Sequence, residues 1–272
     1  MNYYKISITS TPEKSDLIVA FLNDSGLPFN GFEEETFGFK AYVPEKEYEE
    51  AVLEELADKL DFTYKKKLIP AQNWNKVWES NFEPIRINNF CGVRADFHPE
   101  FQNVTHQITI NPKMAFGTGH HETTLAVMEI MQSLDFNDKR VFDYGCGTGI
   151  LSILASKMGA GIVLALDNDP HSYENTFENC SKNQIDNIKI QLGDLSQVEA
   201  DDFDIILANI NRNVILNSLP SLFLKTKPGG QVLISGFLLS DQELLTNTIE
   251  NIGFSINKVL KKGEWLCMHL TT

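Results

Sequence analysis

The chain reads Val-Phe-Asp-Tyr-Gly-Cys-Gly-Thr-Gly-Ile-Leu at residues 141–151, an apolar run followed by three alternating glycines and a helix-like segment. Glycine permits unusual backbone torsions and lets the backbone approach a ligand closely. In open parallel sheets such a turn lies at the carboxyl edge, where ligands bind. A dinucleotide fingerprint would require a third glycine at position 150, where this chain has Ile150. The stretch therefore predicts a strand, a ligand-binding turn that includes Gly145 and Gly147, and a helix.

Three polar residues follow the ends of later predicted strands. Asp167 lies 22 residues after Gly145, where a carboxylate accepts two hydrogen bonds from a ribose diol. Asp194 follows the next strand, at the level of an adenine edge, and Asn209 ends the strand after that. Asp143, before the turn, would hold the turn or face a ligand's ammonium group. Together these positions predict a site for a nucleoside-containing cofactor.

Helical and strand-like segments alternate on both sides of this turn. The predicted strands are 140–144, 162–167, 188–192, 203–209 and 231–236, and the predicted helices are 123–134, 150–158, 171–183 and 214–224. Such alternation is typical of an open, mostly parallel sheet covered by helices on both faces. Ile256–Leu260 and Trp265–Leu270 flank a polar turn and predict a closing β-hairpin.

The preceding residues predict a separate small domain. Residues 1–67 show the order strand, helix, strand, strand, helix, strand, which is that of a ferredoxin-like α+β domain. Their eight lysines and fourteen acidic residues give a net charge of −6, which argues against an RNA-binding module. Residues 68–84 predict a linker helix whose aromatic residues Trp74, Trp78 and Phe82 share one face. A larger second domain is then expected over 85–272, with its core at 120–272.

Composition narrows the possible function classes. The 272 residues are 42% hydrophobic, and no apolar run approaches the roughly 20 residues of a membrane span. The N-terminus reads as a strand rather than a signal peptide, and four scattered cysteines predict a cytoplasmic protein without a metal site. A net charge of −14 disfavours direct nucleic-acid binding and favours a basic protein partner. Nothing in the sequence requires an oligomer, so a monomer is expected.

The glycine pattern, the later aspartate and the terminal hairpin together resemble class I S-adenosylmethionine-dependent methyltransferases. This resemblance implies a Rossmann-like α/β sheet with an antiparallel last strand, and S-adenosylmethionine as cofactor. Residues 111–124, Asn-Pro-Lys-Met-Ala-Phe-Gly-Thr-Gly-His-His-Glu-Thr-Thr, resemble a loop of bacterial methyltransferases that modify large-subunit ribosomal protein eleven. The Trp-x-x-x-Trp segment, the Phe-x-Pro-x-Arg run at 82–86 and Ala208-Asn209-Ile210 resemble the same family.

The family resemblance implies a function and a set of site residues. The function is methylation of lysine side chains, and of the N-terminal α-amine, on a basic large-subunit ribosomal protein held by the front domain. The cofactor contacts fall on Thr124, Gly145, Asp167 and Asn209. His120, Glu122 and Asn111 depart from the family's usual threonine, proline and aspartate.

A catalytic hypothesis follows for the residues around this site. We expect Asn209, with nearby backbone carbonyls, to accept the hydrogens of the substrate amine and to direct its lone pair. His121 is a candidate base or a structural residue, and the loop 116–121 is a candidate lid because Gly117 and Gly119 give it torsional freedom.

Two other functions remain open from the sequence. The same cofactor could serve a methyltransferase of RNA or of a small-molecule amine, because Ala-Asn-Ile-Asn at 208–211 is akin to the Asn-Pro-Pro-Tyr segment used on planar amino groups. A non-catalytic binding module with this fold is the third possibility.

Overall fold

The computed structural model describes residues 2–29, 32–35, 38–69, 83–111, 117–199 and 201–272. The chain divides into two compact units, Met1–Asn81 and Phe82–Thr272. Residues 70–82 of the predicted linker helix at 68–84 lie outside the described residues, so the boundaries at 67 and 84 stay predictions. Among the described helices, none combines the length and the apolar character that crossing a membrane requires.

The first unit alternates strands and helices in the order expected from its sequence. Its elements are β1 (Tyr3–Thr9), α1 (Pro12–Asp24), β2 (Phe32–Glu35), β3 (Gly38–Pro44), α2 (Glu50–Leu60) and β4 (Thr63–Ile69). The strands form an antiparallel sheet in the order β2-β3-β1-β4, which is that of a split βαβ arrangement. Ile6 and Phe39 are buried with Ile18 of α1 and Leu53 of α2. The helices therefore cover one face of the sheet, and the alternate strand residues lie on the opposite face.

The second unit contains a small sheet and a large one. Its strands are β5 (Ile85–Ile87), β6 (Cys91–Arg94), β7 (His106–Thr109), β8 (Arg140–Tyr144), β9 (Ile162–Asp167), β10 (Ile188–Leu192), β11 (Phe203–Asn209), β12 (Thr226–Leu238), β13 (Ser255–Lys262) and β14 (Trp265–Thr271). Strands β5 to β7 pair with each other, and the other seven follow the order β10-β9-β8-β11-β12-β14-β13. Neighbours from β10 to β12 are parallel, whereas β14 is antiparallel to both of its neighbours. This topology confirms the predicted Rossmann-like sheet with an antiparallel last strand.

Helices cover both faces of the large sheet. They are α3 (Glu122–Met131), α4 (Ile150–Lys157), α5 (Pro170–Lys182), α6 (Arg212–Lys225) and α7 (Gln242–Ile252). Buried residues of α3, α4 and α5 form a core with one face of the sheet, and those of α6 and α7 form a second core with the other. A sheet buried on both faces explains why β9 and β11 are nearly continuous apolar runs.

Helix α7 is the element that our prediction omits. The sequence pattern predicts no helix between Gly236 and Ile256, yet α7 occupies most of that interval. Only Leu245 and Ile249, four residues apart, are fully buried in it, so its apolar stripe is short and easily mistaken for a polar loop.

A row of asparagines joins the small sheet to the glycine turn. Asn183, the C-cap of α5, accepts a hydrogen bond from the Thr109 amide at 2.9 Å and donates one to the Thr109 carbonyl at 2.7 Å. One turn earlier, Asn179 accepts from the Asn111 amide and donates to the Thr148 carbonyl, each at 2.9 Å. The row therefore fixes the chain before residue 112 and the glycine turn against the same helix.

Candidate functional site

A cavity of about 640 Å³ opens at the carboxyl edge of the large sheet. Tyr144, Asp167 and Asn209, the last residues of β8, β9 and β11, contribute to its wall. This is the edge at which parallel sheets of this type bind ligands. The structure therefore brings together residues that the sequence places up to 65 positions apart.

Three helices begin at the rim of this cavity. His121, Asp169 and Asn211 line it, and each accepts a hydrogen bond from a backbone amide in the first turn of α3, α5 or α6. Such N-caps satisfy backbone donors that the helix leaves unpaired. Because helix N-termini carry partial positive charge, the rim favours a ligand with an anionic group.

Two glycines fix the segment after β11. A Cβ atom at Gly145 would lie 2.2 Å from Cγ2 of Ile210, and a Cβ atom at Gly236 would lie 2.1 Å from the Ile210 carbonyl oxygen. Both glycines have positive φ angles, 75° and 102°. Close approach from two sides thus holds Ile210, and with it the neighbouring Asn209, in one position.

Asp167 anchors the glycine turn. Its Oδ2 accepts a hydrogen bond from the Gly147 amide at 2.8 Å, and its Oδ1 accepts one from the Asp169 amide at 3.0 Å. A carboxylate has about four acceptor positions, so two remain for a ligand's hydroxyl groups. Gly147 and Asp167, both predicted to bind the cofactor, line the cavity, and the contacts seen for the carboxylate are those that hold the turn.

Asp194 lines the cavity and also caps the 3-10 turn Leu195–Gln197. Its Oδ1 accepts hydrogen bonds from the Ser196 amide and hydroxyl, while its own amide donates to Gln197 Oε1 at 3.1 Å. The hydrogen bond from the Ser196 hydroxyl lowers the pKa of Asp194 below its usual value. An ionised carboxylate at this place is therefore compatible with both a structural and a ligand-binding role.

Asp143 is buried one residue before the end of β8. Its Oδ2 accepts hydrogen bonds from the Ser152 amide at 3.0 Å and from the Ser152 hydroxyl at 2.6 Å, so it ties β8 to α4. Burial raises the pKa of Asp143 to about 7, against the opposing effect of the Ser152 hydrogen bonds. Of the two roles open from the sequence, the contacts seen here are those that hold the turn.

We expect the Asp143→Asn variant to become more stable relative to the parent protein as pH rises. The folded-state pKa of Asp143 lies above its unfolded value near 3.9, so its contribution to stability falls between about pH 4 and pH 7. Urea unfolding measures the free energy of unfolding of both proteins. The value for the variant minus that for the parent should be about 2–3 kcal/mol larger at pH 8 than at pH 5. A stability difference that does not change with pH would contradict a raised pKa of the Asp143 carboxyl group.

Asn209 and Thr124 meet across 85 residues of sequence. Asn209 Nδ2 donates to Thr124 Oγ1 at 3.1 Å, and Thr124 is fully buried in the first turn of α3. Asn209 Oδ1 is buried and accepts no hydrogen bond from any described residue. Thr124 is not part of the cavity wall, whereas Asn209 is. Thr124 thus orients the amide and leaves Oδ1 as a free acceptor beside the cavity.

Comparison with known proteins identifies the family. A family model described as ribosomal protein L11 methyltransferase (PrmA) matches residues 3–272. The chain belongs to this family.

Curated relatives and a solved structure also support membership in the L11 methyltransferase family. A ribosomal protein L11 methyltransferase from Porphyromonas gingivalis is 37% identical, covering 98% of this chain and 96% of the relative. The same-named protein from Phocaeicola vulgatus is 35% identical, with 97% of each chain covered. A solved ribosomal protein L11 methylase from Lactobacillus delbrueckii subsp. bulgaricus has a TM-score of 0.63 and 30% identity, covering 70% of this chain and 98% of that one.

Each departure from the usual L11 methyltransferase loop has its own local partner. His120 Nε2 lies 2.8 Å from the Glu83 carbonyl oxygen, and Asn111 Nδ2 donates to Glu178 Oε1 at 3.0 Å. Glu122 begins α3 and approaches Gly263 so closely that a Cβ atom there would lie 2.4 Å from its carboxylate. The three departures therefore shape the loop and the hairpin, and none of them replaces a predicted contact to the cofactor.

Sequence reasoning did not identify Trp265 as a residue of the site. It lines the cavity, and its ring packs edge-on against His121 with a centroid distance of 4.7 Å. Because β14 is antiparallel, its first residue lies at the edge where the parallel strands end, which is a signal available from the topology. The ring nitrogen Nδ1 of His121 lies 2.8 Å from the Thr123 hydroxyl. Part of the candidate lid, residue 116, lies outside the described residues.

Proposed function

We propose that this chain transfers methyl groups from S-adenosylmethionine to lysine side chains, and to the N-terminal α-amine, of large-subunit ribosomal protein L11. The observation that carries the proposal is the buried Oδ1 of Asn209 beside the cavity, which has no hydrogen-bond partner among the described residues, while Thr124 holds the amide nitrogen. A buried acceptor without a partner is costly unless a ligand satisfies it. The N–H groups of an amine substrate would supply that donor.

The cavity also suits the cofactor. The glycine turn at Gly145 and Gly147 lets a ligand approach the backbone, Asp167 has acceptor positions left for a ribose, and Asp194 lies farther along the wall. Bound there, S-adenosylmethionine would supply an activated methyl group on a positively charged sulfur. Sequence positions and structure together favour these residues, with Asn209, as the ones that hold it.

The chain's contribution to methyl transfer would be positioning. A free lysine has a pKa of about 10.4, so the attacking amine must first lose a proton to the surrounding water. Burial beside a positive charge lowers the pKa of such an amine and keeps it neutral. Asn209 Oδ1 would then accept a hydrogen bond from one N–H group of the amine, which would direct the nitrogen lone pair towards the methyl carbon. The carbon–nitrogen bond would form as the carbon–sulfur bond breaks, so the positive charge would pass from the sulfur to the nitrogen.

Charge and architecture support a basic protein as the substrate. The net charge of −14 favours encounter with a basic partner, and the N-terminal unit is proposed to hold that partner as in the family resemblance. All four cysteines are free and buried, which fits a reducing cytoplasm. We propose that the enzyme acts there as a monomer, without a metal ion.

Transfer of a labelled methyl group tests this function. Purified enzyme and methyl-labelled S-adenosylmethionine would be incubated with ribosomes and free ribosomal proteins from cells that lack the enzyme, and the products separated by mass. We expect label in L11 alone, and labelling about 100- to 1,000-fold slower with the Asn209→Ala variant. Label in RNA or in small molecules would overturn the proposed substrate. Cofactor binding without any transfer would overturn the proposed catalysis.

A further inference from the structure

Strand β10 is an open edge of the large sheet. It stands at one end of the strand order, and among the described residues it pairs with β9 alone. The Asn187 carbonyl accepts a hydrogen bond from β9 and the Gly193 amide donates one to it, so the backbone groups of the odd-numbered residues face β9. Backbone groups alternate in direction along a strand. The outward-facing row of free N–H and C=O groups therefore belongs to Ile188, Ile190 and Leu192.

An apolar surface lies beside this edge. Ile188 and Ile190 pack against the core that α3, α4 and α5 share, so every second side chain of β10 lies on the α5 side of the sheet. Leu192 continues this row and is 45% exposed. On α5, which packs on β9 and β10, Tyr173 and Phe177 are 36% and 65% exposed. Four residues apart on a helix, the two rings form one exposed stripe.

The two rings lie on the flank of α5 that is next to the open edge. On the other flank, Lys182 forms an ion pair with Asp96, in the chain between β6 and β7. At about 100° per residue, Tyr173 and Phe177 are rotated from Lys182 by about 180° and 140° around the helix axis. The stripe therefore faces away from the small sheet and lies on the side of β10.

The surroundings of the edge are strongly acidic. Residues 167–204 contain ten acidic residues and two lysines, so this segment has a net charge of −8 out of the chain's −14. Glu174, beside Tyr173, and Asp186, directly before β10, are both exposed. Within the described part of the chain, neither forms a salt bridge. A second copy of this chain or a nucleic acid would be repelled here, whereas a basic polypeptide would be attracted.

We propose that the open β10 edge, with the rings of Tyr173 and Phe177 beside it, binds an extended basic segment of the methyl-accepting protein by strand addition. The inference rests on the proposed function, which makes that protein a basic ribosomal protein. The free backbone groups of β10 bond to the segment, its apolar side chains contact the rings, and its cationic side chains lie near Glu174 and Asp186. This contact is additional to the one proposed for the first unit.

The edge is continuous with the cavity. Gly193 and Asp194 directly follow β10, and both line the cavity. Strand β10 is three strand spacings, about 14 Å, from β11, which ends at Asn209. About five extended residues cover this distance. A segment held at the edge therefore raises the local concentration of nearby lysines at the site and leaves the site itself free.

Binding of fluorescein-labelled, unmethylated L11 to the full-length protein, without cofactor, tests the proposal. Ile190→Pro removes an N–H group that faces outward, a position where an edge strand tolerates proline. Ile190→Ala keeps this N–H group and loses a similar amount of side-chain packing. We expect the proline variant to bind L11 about tenfold more weakly than the alanine variant, with both folded by circular dichroism. Equal affinities of the two variants would overturn strand addition.

The aromatic stripe has its own matched pair. Tyr173→Gln/Phe177→Gln should weaken L11 binding about tenfold, because large rings contribute most of the affinity at such surfaces. Leu224→Gln/Leu244→Gln removes two exposed apolar side chains from α6 and α7, on the other face of the sheet. This control should change the affinity less than about twofold, and an equal loss in both double variants would contradict a defined binding surface.

The acidic surroundings are tested by salt. Glu174→Gln/Asp186→Asn should weaken L11 binding about threefold at low salt, and the effect should vanish near 1 M salt. Glu243→Gln/Glu250→Gln removes two exposed carboxylates from α7 and should have less than half of this effect. Equal effects of the two pairs would mean that only net charge matters, and would overturn the placement at this edge.

Two further measurements separate the possible failures. In sedimentation velocity, a parent dimer that the stripe variant dissociates would assign the edge to a second copy and overturn the proposal. In methyl transfer, the stripe variant should raise KM for L11 about tenfold and leave kcat within about twofold. Transfer to L11 that this variant does not affect would overturn the inference alone. Edge-dependent binding of L11 without any transfer by the parent would overturn the proposed catalysis alone.

Discussion

Replacing Asn209 with alanine should lower the turnover number about 100- to 1,000-fold, the range found when one preorganised hydrogen-bonding group is removed from an active site. The buried Oδ1 is the acceptor that would align the amine, and alanine leaves nothing in its place. Affinity for S-adenosylmethionine should fall far less, by about tenfold at most, because Asp167 and the glycine turn remain. Single-turnover methylation with saturating cofactor, together with calorimetry of cofactor binding, measures the two effects separately.

Thr124 provides the matched test of positioning. Thr124→Val removes the hydroxyl that accepts from Asn209 Nδ2 and keeps the side-chain shape, whereas Thr124→Ser keeps the hydroxyl. We expect valine to lower turnover about tenfold and serine to restore most of it. In an Asn209→Ala background the valine substitution should have no further effect on turnover, because Thr124 acts through Asn209. Additive losses, or unchanged turnover in Asn209→Ala, would contradict this role.

Those features of the site that are local in sequence could be predicted. The bounds 140–144, 162–167, 188–192 and 203–209 agree with the observed β8 to β11, because apolar runs that end at glycine or a polar residue mark buried parallel strands. The residues at the ends of these strands then share one edge of the sheet. The sequence predicts on that ground that Asp167 and Asn209 bind the cofactor, and both line the cavity in the structure, while their contact with the cofactor stays a prediction.

Features that depend on register between distant elements could not be predicted. The pairing of Asn209 with Thr124 requires the position of α3 relative to β11, and the packing of Ile210 against Gly236 requires the alignment of β12. Trp265 reaches the cavity only because β14 runs antiparallel beside β12.

Replacing Asp167 with alanine should weaken S-adenosylmethionine binding about 100- to 1,000-fold. The carboxylate has two tasks, since it holds the Gly147 amide at 2.8 Å and would accept hydrogen bonds from the ribose. Each charge-assisted hydrogen bond contributes about 1.5–3 kcal/mol, so losing two of them at the lower end of that range, about 3–4 kcal/mol together, accounts for the expected loss. Calorimetry on the purified variant measures the loss, and thermal unfolding shows whether the fold persists. Asp169→Ala removes the neighbouring carboxylate on the same wall. It should lower the affinity for S-adenosylmethionine less than about fivefold.

A cofactor analogue separates the two tasks of Asp167. If the carboxylate contacts the ribose, a 2′-deoxy analogue should bind the parent protein more weakly than the full cofactor, and the two ligands should bind Asp167→Ala with nearly equal affinity. If the carboxylate only anchors the turn through Gly147, Asp167→Ala should lower the affinity for both ligands by the same factor. Asp167→Asn sharpens the distinction, because an amide oxygen can still accept from the Gly147 amide while the negative charge is gone. If Asp167→Asn keeps the fold of the turn but binds the full cofactor and the 2′-deoxy analogue with equal affinity, the ribose contact contributes the larger share of the binding free energy.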